Sequence, residues 1–231
     1  MTKNSTGYLK ALLKNNLFQN ATDDELANIS ACLNLEIVTF PKNAFIVLES
    51  DILTKIGIVL EGSVAITKIT YEGDRIILAV LEEGKVFGAF TAFSQRGSWP
   101  CSVEAHRACT VALIPQDKLY SLCEKSCSSH NQLLQSTLRA ISEEALILLD
   151  KIEILSLKSP REKILTFLRE EYETKKRTIL KLPLNREELA DYLNISRPSL
   201  SRELGRLRDE GIITFHKSII KLEKPDRILE K

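Results

Sequence analysis

The pattern of apolar and polar positions changes character three times along the 231 residues. Residues 8–33 read as helical. Thr22-Asp-Asp-Glu25 has the form of a capping box, with Thr22 as N-cap and Glu25 three residues on, and predicts a helix over Glu25–Cys32. From Leu35 to Pro115 the texture turns to short runs rich in β-branched residues: LEIVTF, AFIVL, IGIVLEGSVAITKI, RIILAVL, SVEA and TVALI. Turn residues separate them at Pro41-Lys42-Asn43, Glu61-Gly62, Glu72-Gly73-Asp74 and Glu83-Gly84. About eight short strands at such spacing predict a double-sheeted jelly roll.

Residues 129–157 return to a helical period. Leu134, Leu138, Ile141, Ala145, Leu148, Ile152 and Leu155 recur at alternating spacings of four and three. That alternation keeps one narrow apolar stripe facing a partner helix, so it predicts self-pairing into a parallel dimer. A helix packed on its own domain's core is the competing explanation. Ser159-Pro160 is expected to end this helix, because proline lacks the amide proton and restricts the residue before it. The chain therefore divides into a β-roll over 1–128, a dimerisation helix over 129–157 and a C-terminal domain over 158–231.

Within that last domain a helix is predicted over Arg161–Tyr172 and a short β segment over Thr178–Leu182. Then comes LNREELADYLNISRPSLSRELGRLRDEGIITFHKSIIKL. Asn185 can cap a helix whose third residue is Glu188, with Leu189, Ala190 and Leu193 on its buried face. Asn194-Ile195 makes a tight turn, and Ser196 caps a second helix with Pro198 in its first turn. Leu200, Leu204 and Leu207 point inward there; Arg197, Ser199, Ser201, Arg202 and Arg206 remain outside. Gly211 ends the helix, and Ile212–Leu222 reads as a two-stranded wing. Two helices around a tight turn, the second arginine-rich near its N-terminus, match the helix-turn-helix that enters the DNA major groove. An arginine fork pairs with the two acceptors of guanine. A solvated helical hairpin is the plainer alternative.

Charge sharpens this picture. Residues 158–231 carry 18 Lys and Arg against 13 Asp and Glu, a net +5; residues 1–157 carry 14 against 18, a net −4. A basic third on an acidic body fits a nucleic-acid footprint confined to one module. No apolar run reaches the roughly 18 residues of a membrane span, and no secretory signal is apparent. Five cysteines without a disulfide spacing favour reduced thiols in a cytoplasm. A glycine loop for phosphate, a nucleophile elbow and a His-Glu-x-x-His are all missing, so an enzyme is not expected. A β-roll and coiled-coil interaction protein would have no use for the helix-turn-helix.

The segment from Leu157 to Leu222 resembles the C-terminal domain of the CRP/FNR superfamily, including its Ser-Arg-x-x-x-x-Arg pattern at Ser196, Arg197 and Arg202. The order of elements also fits: short helices, β-roll, dimer helix, winged helix-turn-helix, an α+β fold overall. The resemblance implies a homodimeric regulator on palindromic double-stranded DNA, with RNA polymerase as partner if it activates. It implies that Arg197 and Arg202 meet base edges and that Ser196, Ser199 and Ser201 meet phosphates or bases. Lys217 in the wing completes the candidate set. The family's frequent glutamate after the first arginine is Pro198 here, which puts the usual operator in doubt.

In cyclic-AMP-binding members a glutamate after a glycine holds the ribose, and an Arg-Ser pair holds the phosphate. GAFTAFSQRGSWPCSVEAHRAC aligns with that cassette, but the positions are Ala89 and Trp99-Pro100. The adenine-contacting hydroxyls fall on Leu148 and Leu149. A buried phosphate without arginine is costly, so cyclic AMP is rejected as effector. An iron–sulfur centre of the FNR kind is equally unexpected, since no cysteine precedes Cys32.

An apolar surround remains, with Ala89, Phe90, Trp99, Cys101, Leu148 and Leu149 as the candidate effector pocket. It reads either as a packed core without ligand or as a site for a hydrophobic ligand. The runs KIEILSLKSPREKILTFL and DEGIITFHKSII resemble regulators of the hybrid-cluster-protein, nitrosative-stress group. That resemblance implies haem-based sensing of nitric oxide, for which His106, His130 and Cys101 are the candidate ligands. Cys123, Cys127 and His130 share a helix face that could hold a metal or a redox thiol pair, or simply be buried.

Overall fold

Each short run between Glu36 and Pro115 forms a strand, and residues at left-handed backbone angles, among them Asn43, Gly62, Gly73 and Gly84, turn the chain between them. The computed structural model describes residues 33–52, 54–120 and 128–229. The capping box at Thr22, the helix over Glu25–Cys32 and the cysteines Cys123 and Cys127 lie outside the described residues, as do the side chains of His130 and Leu134.

The eight strands are β1 (Glu36–Phe40), β2 (Phe45–Val47), β3 (Lys55–Glu61), β4 (Ser63–Ile69), β5 (Arg75–Glu82), β6 (Val86–Phe87), β7 (Ser102–Ala105) and β8 (Cys109–Pro115). They form two four-stranded sheets, ordered β1-β8-β3-β6 and β2-β7-β4-β5. The register of β3 on β8 runs from Lys55 opposite Pro115 to Glu61 opposite Thr110, with a bulge before Glu61. Ile56, Ile58, Leu60, Val64, Phe87, Val103, Val111 and Ile114 fill the space between the sheets. Two one-turn helices, α1 (Ala89–Ala92) and α2 (Asp117–Tyr120), follow β6 and β8.

The long helix α3 runs from Ser128 to Ser156. Its predicted seam faces outward: Leu138 and Ile152 are each 58% exposed, Ala145 and Leu148 are exposed, and Ile141 and Leu155 are half-buried. The stripe one residue earlier is the covered one. Thr137, Ala140, Glu144, Lys151 and Ile154 are buried and Ile147 half-buried, at the same three-and-four spacing. The helix thus has both faces that the sequence left in competition. One packs on its own chain and the other is exposed among the described residues.

Two compact units part between Ile147 and Leu148, with residues 69–78 grouped in the second. Pro160 opens the next helix rather than stopping α3, which has already ended at Ser156. Ser159 caps α4 (Pro160–Lys175), and proline at the first helical position loses no hydrogen bond. That helix runs three residues beyond the predicted Tyr172, to a left-handed Lys176. Then follow β9 (Ile179–Lys181), α5 (Arg186–Leu193), α6 (Arg197–Asp209), β10 (Ile213–His216), β11 (Ile219–Leu222) and α7 (Asp226–Leu229). The strands order as β10-β11-β9, all antiparallel.

Candidate nucleic-acid interface

Both helices of the motif are fixed at their ends by their own side chains. Asn185 accepts from the amides of Glu187 and Glu188 (2.9 and 3.0 Å), and the Glu188 carboxylate accepts from the Asn185 amide (2.7 Å). Asn194 takes a left-handed conformation after α5, with φ at 49°. The Lys163 ammonium, carried by α4, donates to the carbonyls of Leu193 and Asn194 at 3.1 and 3.4 Å. A cation there satisfies terminal carbonyls and complements the helix dipole. The turn before α6 is therefore held from outside the motif.

Ser196 caps α6 by accepting from the Ser199 amide at 3.3 Å. Leu200, Leu204 and Leu207 are buried, which leaves Arg197, Ser201, Arg202 and Arg206 exposed on the opposite side. Ser199 is half-buried; its hydroxyl lies 2.9 Å from that of Ser196, and Arg202 donates to it at 3.4 Å. Five of the six predicted contacts thus share the first half of one helix and its cap. Lys217 is exposed at the tip of the β10–β11 hairpin, in a left-handed conformation with φ at 52°. Behind the hairpin, Arg186 stacks on Phe215 at 4.6 Å from the ring centre.

Known families match both halves of this layout. The cyclic nucleotide-binding domain matches residues 37–126, and the Crp-like helix-turn-helix domain matches residues 162–230. The chain belongs to the CRP/FNR family of transcription regulators. It is 25% identical over 197 residues to the global nitrogen regulator of Nostoc sp., covering 82% of this chain and 86% of that one. It is 26% identical over 196 residues to the nitrogen fixation regulation protein FixK of Bradyrhizobium diazoefficiens, covering 83% and 79%. The solved structure of FixK2 from Bradyrhizobium japonicum superposes with a TM-score of 0.69 at 25% identity, covering 84% of this chain and 96% of that one. The DNA-binding helix-turn-helix is therefore a family property, carried here by α5 and α6.

The CRP/FNR cassette after β6 is closed by this chain's own side chains. Gly88, with φ at 83°, turns into α1; a Cβ there would lie 2.3 Å from the Trp99 indole. Trp99 is buried 6.2 Å from Phe87, centroid to centroid, in the place where cyclic-AMP-binding members are expected to carry the phosphate arginine. Ala89 and Cys101 are buried and Phe90 half-buried, whereas Leu148 and Leu149 are exposed. Trp99 also lines a cleft of about 460 Å³ with Phe87, Ile46, Val47, Ile52 and Lys55, residues outside the predicted pocket.

Glu144 is one residue that sequence reasoning missed. Only 7% exposed, its carboxylate accepts from the amides of Phe90 (2.8 Å) and Ala89 (3.4 Å). Burial pushes its pKa up to about 7, against the opposing pull of those amides and that of Gly88. Lys151, two turns on, donates to the Tyr192 carbonyl and lies 3.5 Å from the centre of the Tyr192 ring; burial brings its pKa down to about 7. The available signal was a polar heptad position, Thr137, Glu144 and Lys151, running one residue ahead of the apolar seam. Burial raises the Cys101 thiol to about 11, which disfavours the thiolate a metal ligand needs. His106 is buried, and among the described residues no cluster of three metal-ligating side chains occurs.

Proposed function

We propose that the protein is a homodimeric regulator that reads a palindromic operator through α6, with Arg197 and Arg202 on base edges. Ser196, Ser199, Ser201 and Lys217 hold the DNA backbone, and its effector is not cyclic AMP. One observation carries the reading: four polar or basic side chains exposed on one face of a helix whose other face is three buried leucines. The helix is capped at Ser196, so its arginines are presented on a rigid element. Self-pairing is supported by the exposed apolar stripe of α3, since Leu138, Leu149 and Ile152 together would be an unusual solvent face. The test is selection of binding sites from a randomised duplex pool by the full-length protein, followed by gel shifts across a salt series and sedimentation. A two-fold symmetric consensus with steep salt dependence, bound by a dimer, is expected. Recovery of no consensus would overturn the reading.

Ala89 and Trp99 stand where a cyclic nucleotide would need a glutamate and an arginine, so the effector is an apolar ligand, haem included, or none. An absorption spectrum of the purified protein with mass analysis of bound small molecules separates these, and absence of a Soret shift on adding hemin removes haem. A DNA target is met in the cytoplasm, and an activator of this kind would touch RNA polymerase.

A further inference from the structure

The buried side of α6 carries one carboxylate, and it is shared. Glu203 is 7% exposed among Leu200, Leu204 and Leu207. One of its oxygens accepts from Arg161, in the first turn of α4, at 3.1 Å; the other accepts from Arg206 at 3.1 Å. Arg161 turns its fork on Glu210 as well, at 2.9 and 2.6 Å. A single arginine of α4 thereby grips α6 at two points seven residues apart, and the grip is planar and directional. Arg206 lies one turn beyond Arg202 on the exposed side, and its side chain is 71% exposed. The N-terminal turns of such a helix enter the groove, so a residue in its third turn stands at the groove's rim, beside phosphate.

Resting on the reading of α6 as the DNA-reading helix, we infer that Glu203 is its positioning residue. One oxygen ties the helix to Arg161, and the other holds Arg206 in place to meet a backbone phosphate. A free arginine at that position would attract any duplex; a held one meets only a duplex seated in register. Glu203 therefore converts a non-specific charge into a register contact, and Arg161 sets the tilt at which the register is read.

The experiment uses the full-length protein, a duplex recovered from a randomised pool and an unrelated duplex of equal length. Glu203→Gln keeps the shape and removes the charge. Affinity for the selected duplex is expected to fall about tenfold, while affinity for the unrelated duplex holds or rises and the salt slope steepens by about one freed cation. An unchanged ratio of the two affinities overturns the inference, as does a parallel loss that tracks lowered thermal stability. Should Glu203→Gln fail to fold, Arg206→Gln changes only an exposed side chain. It is expected to weaken the selected duplex about tenfold with unchanged Tm and a shallower slope, and unchanged affinity would overturn the proposal. The larger reading is separable: it fails if the wild type recovers no consensus. The relay alone fails if Arg202→Ala loses the consensus while Glu203→Gln keeps it.

Discussion

The two units of this regulator use polar groups in opposite ways. In the second unit, arginines and hydroxyls stand on the outside of a helix whose leucines face inward, so the reactive surface is the solvent surface. In the first unit, the polar group at the cassette is a buried carboxylate of the chain itself, turned onto the backbone amides of Phe90 and Ala89. Outward chemistry can be read from residue type and spacing alone. Inward chemistry depends on which side chain arrives from elsewhere in the chain, and Glu144 arrives from 54 residues away.

The largest expected effect falls on the outward side. Arg202→Ala removes a guanidinium that touches no core residue, so Tm should stay within a degree or two of wild type. A bidentate base contact is worth about 2 kcal/mol, and the proposed dimer makes it at both half-sites, so operator affinity should fall by about a thousandfold. Competition binding against single-base operator variants checks it. Retained preference at the guanine assigned to Arg202 in the proposed reading would move the contact to another residue.

On the inward side the corresponding probe is Glu144→Gln. The native carboxyl titrates near 7 rather than at the ordinary 4.5, so the folded state holds its proton more tightly than the unfolded state. Its contribution is full below pH 4.5 and is lost as pH rises to about 7, a swing of about 3 kcal/mol. Lys151 behaves conversely: its folded pKa is depressed from 10.5 to about 7, so its contribution is present above 10.5 and lost as pH falls toward 7. Denaturant melts of wild type and Glu144→Gln should diverge in favour of the variant between pH 4.5 and 7 and run parallel above it. Lys151→Met should diverge from wild type between 7 and 10.5 instead. Identical pH profiles for all three proteins would mean that the two groups are not buried as described.

Gly88→Ala comes next. A methyl group 2.3 Å from the Trp99 ring, on a backbone with φ at 83°, must displace the indole or unwind the turn into α1. Overpacking together with left-handed strain costs about 2–3 kcal/mol. Loss of Trp99 fluorescence anisotropy without loss of operator specificity would show that the cassette is structural; loss of both would show that the first unit governs the second.

The same contrast explains what was legible beforehand. Asn185, Asn194, Ser196 and Gly211 carry local instructions, and the helix-turn-helix followed them residue by residue because caps and turns need only neighbours in sequence. Seven of the eight strands were equally legible from alternation and turn residues, whereas β6, only Val86–Phe87, falls in none of those runs; along α3 the apolar seam positions from Leu138 to Leu155 are exposed or half-buried. Glu144, Lys151 and Glu203 were not foreseen, because a charged side chain on a helix is ordinarily solvated. Their partners lie 54, 41 and 42 residues distant. Pro160 was misjudged for a related reason: proline stops one helix or starts the next, and Ser159 with Glu162 decided for the start.

The smallest effect is the most discriminating, because Ser196 caps α6 and is also one of the proposed phosphate contacts. Its hydroxyl caps α6 through the Ser199 amide and stands beside the Ser199 hydroxyl where a phosphate oxygen would sit. Ser196→Ala should lower stability by about 1 kcal/mol, the usual value of a lost cap, and Ser196→Gly by only a few tenths. If the hydroxyl serves the fold alone, the glycine variant recovers operator affinity along with stability. If it also donates to phosphate, affinity stays about fivefold low in both variants while only the alanine variant melts early. Asp at the same position gives the third point. It caps as well as serine but carries a negative charge, so it should restore Tm and weaken DNA binding further.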